Sequence, residues 1–188
     1  MIIVCSTGMP GSGKGLIVEV AKSLGFYCIT MGDIVREEVR KRGLKVTVET
    51  LNSVAEELRV KEGKDAIAKR IVEKLKVVNA KYILIDGVRS LDEIKCFERT
   101  LGKPIIIAIH ASPKTRFKRL LQRGRPGDPK SWNEFLKRDF KELEFGIGNV
   151  IALADYMIVN EAPKEEILES IRRVLKEVIR VVESHSQS

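Results

Sequence analysis

The 188 residues are 44% hydrophobic and 32% charged, with a formal net charge of +8 at pH 7. This length fits one domain with a substantial core, and this composition excludes a disordered chain. The apolar runs are too short to span a membrane, no cleavage signal is present, and the three cysteines, odd in number, fit buried thiols in a reducing compartment. We therefore expect a cytoplasmic protein without membrane contact.

Short apolar runs alternate with helical patterns along the chain. Strands are predicted at 2–6, 26–30, 82–85, 104–110 and 156–159. Helices are predicted at 14–24, 32–42, 48–61, 64–78, 91–101, 114–123, 131–144 and 164–183. Because strands that are apolar throughout are buried on both faces, this alternation predicts a three-layer α/β fold with a five-stranded parallel sheet and helices on both sides. We expect a single domain over 1–188, with a helical insertion at about 32–78, a lid at about 119–138 and a flexible tail at 184–188.

A glycine-rich loop follows the first strand and opens a helix. Its residues are Gly8, Met9, Pro10, Gly11, Ser12, Gly13 and Lys14. Glycines let backbone N–H groups converge on an anion, and Lys14 supplies a charge for the outer phosphates. A simple connecting turn is the alternative, but strand, spacing, lysine and helix together fit a phosphate-binding P-loop. We therefore expect ATP to bind here.

The position after Lys14 bears on magnesium, because a P-loop usually carries a hydroxyl ligand there. This chain has Gly15, followed by Leu16. Mg²⁺ must then be held through water, through Ser12, or through Asp86, which four apolar residues bring to the sheet edge above the loop. A turn aspartate is the alternative interpretation of Asp86. ATP and Mg²⁺ are the expected cofactors, and Lys14 and Asp86 are candidate catalytic groups.

A second anion site is predicted from two segments. Asp33 and Arg36 are three residues apart at a helix start, so Arg36 could clamp a phosphate or carboxylate while Asp33 accepts a proton or binds Mg²⁺ through water. A capping aspartate with a solvated arginine is the alternative. Arg89 lies three residues after Asp86, across Gly87, and two such roles in one loop favour phosphoryl transfer over binding alone.

The basic charge is concentrated at residues 114–130, which hold seven basic residues against one acid. Arginines on a closing lid stabilise the charge of a transferring phosphoryl group and exclude water. A solvated basic face is the usual alternative, but an ATP site needs such a lid. The candidate lid residues are Arg119, Arg123, Arg125 and Arg138. Nucleic acid is an unlikely partner, because Phe117 and Trp132 alone supply aromatic rings near this cluster.

These motifs resemble the nucleoside monophosphate kinase group, particularly an archaeal family related to adenylate kinase, over nearly the whole chain. The loop through Gly15 is similar to the adenylate kinase loop, with Leu16 in place of threonine. Residues 30–36 are similar to the acceptor helix of those kinases, which implies that Arg36 binds the acceptor phosphate, although Met31 replaces the usual hydroxyl residue. The stretch 86–89 is one residue shorter than theirs. A P-loop kinase that transfers phosphate to AMP or an AMP-like group is implied.

The lid order also resembles those kinases, which implies that Arg123, Arg125 and Arg138 contact the phosphates during transfer. Residues 154–160 resemble dephospho-coenzyme A kinase, in which the segment after the last strand lies near adenine, and this implies an ATP contact for Asn160. Residues 146–152 match the archaeal family's own pattern, and we expect only a turn near the ligand there.

Three hypotheses follow. The first is an adenylate kinase-related enzyme acting on nucleotide substrates, and the second is a dephospho-coenzyme A kinase-like enzyme. The third is a nucleotide-binding regulator with little turnover, motivated by Leu16, Met31 and the short 86–89 loop. For each we expect a monomer or a small homo-oligomer.

Overall fold

The computed structural model describes residues 1–185. The strands among these residues are β1 Ile2–Thr7, β2 Tyr27–Thr30, β3 Tyr82–Asp86, β4 Ile105–His110 and β5 Tyr156–Val159. The helices are α1 Gly15–Ser23, α2 Met31–Lys41, α3 Val48–Glu62, α4 Ala66–Leu75, α5 Leu91–Leu101, α6 Pro113–Arg123, α7 Trp132–Glu144, α8 Ile147–Ala152 and α9 Lys164–His185. No helix within these residues is long and apolar enough to cross a membrane.

The five strands form one parallel sheet in the order β2-β3-β1-β4-β5. This confirms the predicted α/β fold with a five-stranded parallel sheet. β1 lies at the centre, and the register pairs Ser6 of β1 with Asp86 of β3, which in turn pairs with Thr30 of β2. The carboxyl ends of three strands therefore meet at one edge, where ligands bind in open α/β sheets.

Both faces of the sheet are covered, which explains why its strands are apolar throughout. On one face, β1 contributes Ile3 and Cys5 to a core shared with α2, α3, α4 and α5. On the other face, Ile2 and Val4 pack with apolar residues of α1 and α9. The alternation along β1 thus divides the core into two halves, with the sheet between them.

The predicted turn at 146–152 is wrong, because this segment forms α8. Gly146 precedes the helix with φ of 97°, and Ile147 and Val150 are buried against the sheet. Six residues are too few to show a helical period in sequence, so packing decides this element.

Two smaller differences concern a thiol and the chain end. Cys28 is only half-buried, whereas Cys5 and Cys96 are buried as expected for structural thiols. Helix α9 runs to His185 and so includes the first two residues of the range predicted as a flexible tail. The rest of that range lies outside the described residues.

Candidate active site

The loop between β1 and α1 has a backbone shape that only glycine adopts without strain. Gly13 has φ of 86°, and a Cβ atom added there would lie 2.1 Å from Nδ2 of Asn160. Gly8 has φ of 152°, and its Cβ would lie 2.3 Å from the carbonyl oxygen of Ile109. These distances are far inside van der Waals contact, so the glycines are required by close packing as well as by torsion angle.

Asn160, directly after β5, holds the loop from the end of another strand. Its Nδ2 donates a buried hydrogen bond of 2.7 Å to the carbonyl oxygen of Ser12. Nη2 of Arg119 donates to Oδ1 and to the carbonyl oxygen of Asn160, at 3.2 and 3.1 Å. The side chain predicted to contact ATP therefore positions the loop itself.

Two buried polar atoms beside this loop have no hydrogen-bond partner among the described residues, namely Oγ of Ser12 and Nη1 of Arg119. Nη1 of Arg119 lies 3.9 Å from the Cβ position of Gly13. Leaving such groups unpaired is costly unless a ligand pairs with them. A guanidinium donor and a hydroxyl beside a glycine loop fit a phosphate and its magnesium ion.

A buried ion pair supports the other side of the loop. Arg116 forms two hydrogen bonds to Asp139 of α7, at 2.8 and 2.5 Å, and its Nη1 donates to the carbonyl oxygen of Pro10 at 3.2 Å. Nε of Arg116 donates to the carbonyl oxygen of Ala111. The guanidinium also lies over the ring of Phe135, 5.0 Å from its centroid. Arg116 is therefore a positioning residue. Although it is one of the seven basic residues at 114–130, Asp139 neutralises its charge, so it is not expected to bind a ligand.

Lys14 and Asp86 are partly buried at the sheet edge and act on each other electrostatically. Burial lowers the pKa of Lys14, which Asp86 opposes. Burial raises the pKa of Asp86, which a 2.6 Å hydrogen bond from Oγ of Ser6 and the charge of Lys14 oppose. The backbone N–H groups of Gly87 and Val88 donate to the carbonyl oxygen of Ser6, which fixes the turn that follows Asp86.

Lys14 lines an open cleft at the carboxyl end of the sheet. The cleft is lined by Gly8, Pro10, Gly11, Lys14, Gly87, Val88, Arg89, Arg123, Arg138, Glu142 and Ile147. Four cations from four different segments thus converge on the loop. Neither Arg119 nor Arg125 is among these lining residues, although both were predicted from the sequence to act on the phosphates of ATP.

The lid arginines are paired with a carboxylate of the lid. Arg123 donates two hydrogen bonds to Asp128, at 2.8 and 2.6 Å, and Arg138 donates a third at 3.1 Å. The backbone N–H of Arg125 also donates to Asp128. These bonds, led by the one from Arg123, lower the pKa of Asp128 to about 2. Arg123 and Arg138 are thereby held together at the mouth of the cleft.

Asp33 and Arg36 pair with each other at the start of α2. Nη2 and Nε of Arg36 donate to Oδ1 of Asp33 at 2.5 and 3.1 Å, and the hydroxyl of Thr30 donates to Oδ2 at 2.7 Å. Burial raises the pKa of Asp33, but hydrogen bonds from Arg36 and Thr30 more than offset this and lower it. The N–H of Asp33 donates to Oγ1 of Thr30, which caps the helix.

Magnesium would have few protein ligands in this site. Within residues 1–185 there is no group of three or more His, Cys, Asp or Glu side chains that could hold a metal ion. Gly15 and Leu16 begin α1, and Leu16 packs against the core, so neither supplies a ligand. Of the residues predicted from sequence to hold the metal, Asp86 and Ser12 both have side-chain oxygen atoms that suit Mg²⁺, which usually keeps waters and phosphate oxygens as its other ligands.

Sequence reasoning missed Glu142, Asp139 and the positioning role of Arg116. Glu142 lies four residues after Arg138 on α7, and this spacing places the two on one helical face. Because Arg138 was already a candidate site residue, this spacing could have identified Glu142 from the sequence. The pairing of Arg116 with Asp139 joins residues 23 apart on different helices and leaves no local pattern.

Comparisons with known proteins agree with this architecture. A family model described as an AAA domain matches residues 7–136. UPF0200 proteins from Hyperthermus butylicus and Thermococcus onnurineus are 52% and 49% identical to this chain; the matches cover 93% and 95% of it and 93% and 98% of the relatives. The relative from Methanocaldococcus jannaschii is 42% identical over 100% of this chain and 95% of its own length.

Solved structures show the same fold at low identity. TT1252 from Thermus thermophilus superposes with a TM-score of 0.61 at 21% identity, covering 94% of this chain and 97% of the other. Shikimate kinase from Bacteroides thetaiotaomicron gives 0.58 at 16% identity, covering 95% and 98%. The fold is thus a P-loop kinase fold. The chain belongs to the UPF0200 protein family and to the AAA-domain family whose model matches it.

Proposed function

We propose that the protein is an ATP-dependent phosphotransferase that acts on a nucleotide-like acceptor. The observation that carries this proposal is the cleft in which Lys14, Arg89, Arg123 and Arg138 converge on the glycine loop. Phosphoryl transfer needs little covalent help from a protein and depends on positioning and on stabilising negative charge. A partly buried lysine among three arginines supplies that charge.

The donor site is formed by the loop from Gly8 to Leu16. Its backbone N–H groups and Lys14 would bind the phosphates of ATP, and Oγ of Ser12 and the carboxylate of Asp86 would hold Mg²⁺, directly or through water. A bound Mg²⁺ would supply positive charge to offset that of the outer phosphates. Arg119 orients Asn160 and directs its unpartnered Nη1 toward the phosphate loop.

The acceptor site is formed by Asp33, Arg36, Gly87 and Arg89. Its resemblance to adenylate kinase supports AMP or an AMP-like group as the acceptor, and its resemblance to dephospho-coenzyme A kinase supports a dephospho-coenzyme A-like molecule. In both cases Arg36 must exchange its bonds to Asp33 for bonds to the ligand. Such an exchange suits a side chain that is 39% exposed.

The lid completes the site through Arg123, Arg125 and Arg138. The tip of the lid already approaches α3, since a Cβ on Gly127 would lie 2.5 Å from Cγ2 of Val48. The lid thus bridges the donor and acceptor halves. Closure would turn Arg123 and Arg138 from Asp128 toward the transferring group and exclude water.

The test is an acceptor screen. The protein, ATP and Mg²⁺ are incubated with AMP, other nucleoside monophosphates and dephospho-coenzyme A, and ADP formation is measured. We expect at least one acceptor to stimulate ADP release, and Lys14→Ala to lower its rate about 100-fold. Lys22→Ala, an exposed lysine on the same helix, is the matched control and should behave as wild type. Nucleotide binding without transfer to any acceptor would instead support the regulator.

A further inference from the structure

One carboxylate faces the phosphate cleft and has no role in the scheme above. Glu142 of α7 lines the cleft together with Lys14 and Arg89, although it is 8% exposed. Its Oε2 is buried and accepts no hydrogen bond from the described residues. The nearest cation is Nε of Arg89, 3.5 Å away, which is an ion pair but too long for a good hydrogen bond.

A carboxylate oxygen buried without a hydrogen-bond donor is costly, and a donor on a ligand would complete this site. Three kinds of ligand group could approach Glu142: a phosphate, a metal ion, or a neutral hydroxyl. The charge of each group decides which of the three is favoured beside Glu142 and Arg89.

A phosphate at this position is disfavoured. Glu142 repels it and also competes for Arg89, the residue expected to bind it. A metal ion is disfavoured as well, because the guanidinium of Arg89 lies against the carboxylate and Lys14 also acts on it electrostatically. A hydroxyl avoids both penalties, because it is neutral and donates to Oε2 while its oxygen remains beside the cations.

We infer that the phosphoryl acceptor of this protein is a hydroxyl group rather than a phosphate, and that Glu142 is the catalytic residue that binds and deprotonates it. This inference rests on the proposed phosphotransferase function and narrows its acceptor class. The hydroxyl oxygen forms a bond to the γ-phosphorus of ATP. The bond from that phosphorus to the bridging oxygen breaks, its electron pair leaves with ADP, and the hydroxyl proton passes to Glu142.

Asp33 is less suited to this role. Its two carboxylate oxygens already accept hydrogen bonds from Arg36 and Thr30, and these bonds lower its pKa and weaken it as a base. Glu142 instead lines the cleft that holds Lys14, and its Oε2 accepts no hydrogen bond from the described residues.

The experiment uses ¹⁴C-labelled AMP, which carries both kinds of acceptor on one molecule. Transfer to its phosphate gives labelled ADP, whereas transfer to a ribose hydroxyl gives a labelled adenosine bisphosphate, and anion-exchange chromatography separates them. Adenosine and dephospho-coenzyme A are tested in parallel as acceptors without a terminal phosphate. The variants are Glu142→Gln and, as matched control, Glu144→Gln, an exposed glutamate on the same helix.

We expect wild type to phosphorylate a hydroxyl, Glu142→Gln to slow this about 100-fold, as for loss of a general base, and Glu144→Gln to have no effect. Labelled ADP as the main product, at a rate that Glu142→Gln leaves unchanged, would overturn the inference while the kinase function stands.

If no acceptor is phosphorylated, the proposed phosphotransferase function is contradicted. A binding measurement then tests the inference about Glu142 separately. Calorimetry with AMP then tests the placement of Glu142: the Gln variant should bind AMP several-fold more tightly than wild type, because a repulsive charge beside Arg89 is gone. Equal affinities would show that Glu142 does not select against phosphate.

Discussion

The two halves of the cleft differ in how their polar groups are paired. On the donor side, the glycine loop is held by Asn160 and Arg116 through buried hydrogen bonds to its carbonyl oxygens. On the acceptor and lid side, Arg36 and Arg123 are paired with the carboxylates of their own segments and are partly exposed. Under the proposed function, the first half is formed before any ligand arrives, whereas the second would exchange internal ion pairs for ligand contacts.

This difference indicates how the site would work. A preformed anion site loses little free energy to reorganisation when a triphosphate binds. Arginines in exposed ion pairs lose little when those pairs break, because such pairs are individually worth about 0–1 kcal/mol. Under the proposed function, the donor half would therefore position the phosphates, and the acceptor and lid half would move when ligands bind.

The strongest way to break this comparison is Arg116→Ala. Asp139 would be left buried without its partner, and the carbonyl oxygens of Pro10 and Ala111 would lose a donor. We expect the free energy of unfolding to fall by about 3–5 kcal/mol, as when one partner of a buried pair is removed. Urea denaturation followed by circular dichroism measures it.

The control is Arg172→Ala, which removes an exposed pair with Glu169 and should change stability by less than about 1 kcal/mol. Replacing both members, as Arg116→Met with Asp139→Leu, should recover much of the loss. Equal stability of Arg116→Ala and wild type would mean that the donor half is not held by this pair.

Lys14→Ala should have the next largest effect, and on catalysis only. We expect kcat to fall about 100-fold, as for loss of one preorganised electrostatic contact. The melting temperature should stay the same or rise, because burial lowers the pKa of Lys14 and the fold therefore gains nothing from its charge. Steady-state kinetics and thermal denaturation give both values. A large fall in the melting temperature would contradict this prediction, because it would show that folding of the donor half depends on Lys14.

Arg36→Ala sharpens the comparison from the acceptor side. We expect KM for the acceptor to rise about tenfold with kcat changed little, because one charged hydrogen bond contributes about 1.5–3 kcal/mol to binding. Arg40→Ala, one turn further along α2 and exposed, is the control. An unchanged KM would exclude α2 from the acceptor site.

Asp128→Asn should have the smallest effect and tests the lid at low pH. The pKa of Asp128 is about 2 when folded, against 3.8 for the free side chain. Its ionised form therefore stabilises the fold above about pH 4, and this contribution is lost as the pH falls toward 2. Wild type should lose more stability than the variant over this interval, by less than about 1 kcal/mol. Parallel stability curves would show that the lid pairs contribute nothing.

The sequence predicted the parts of the fold and site that local patterns specify. Apolar strands and amphipathic helices gave the sheet, and the loop through Lys14 was predicted from its glycines and its place before a helix. Asp86 was predicted to lie at the sheet edge because an apolar strand ends there, and Arg89 because it follows three residues later. Short α8 was missed, because its six residues are stabilised by packing against the sheet.

Sequence alone determined the α/β class, the position of the phosphate loop, and the segments that carry charge. Only the tertiary structure decided what each charge does. It assigned Arg116 to a buried pair with Asp139, Asn160 to the carbonyl of Ser12, and Glu142 to the wall of the cleft. Periodicity and spacing report on neighbours within a few residues. Contacts between residues 23 or 148 apart depend on which elements pack together.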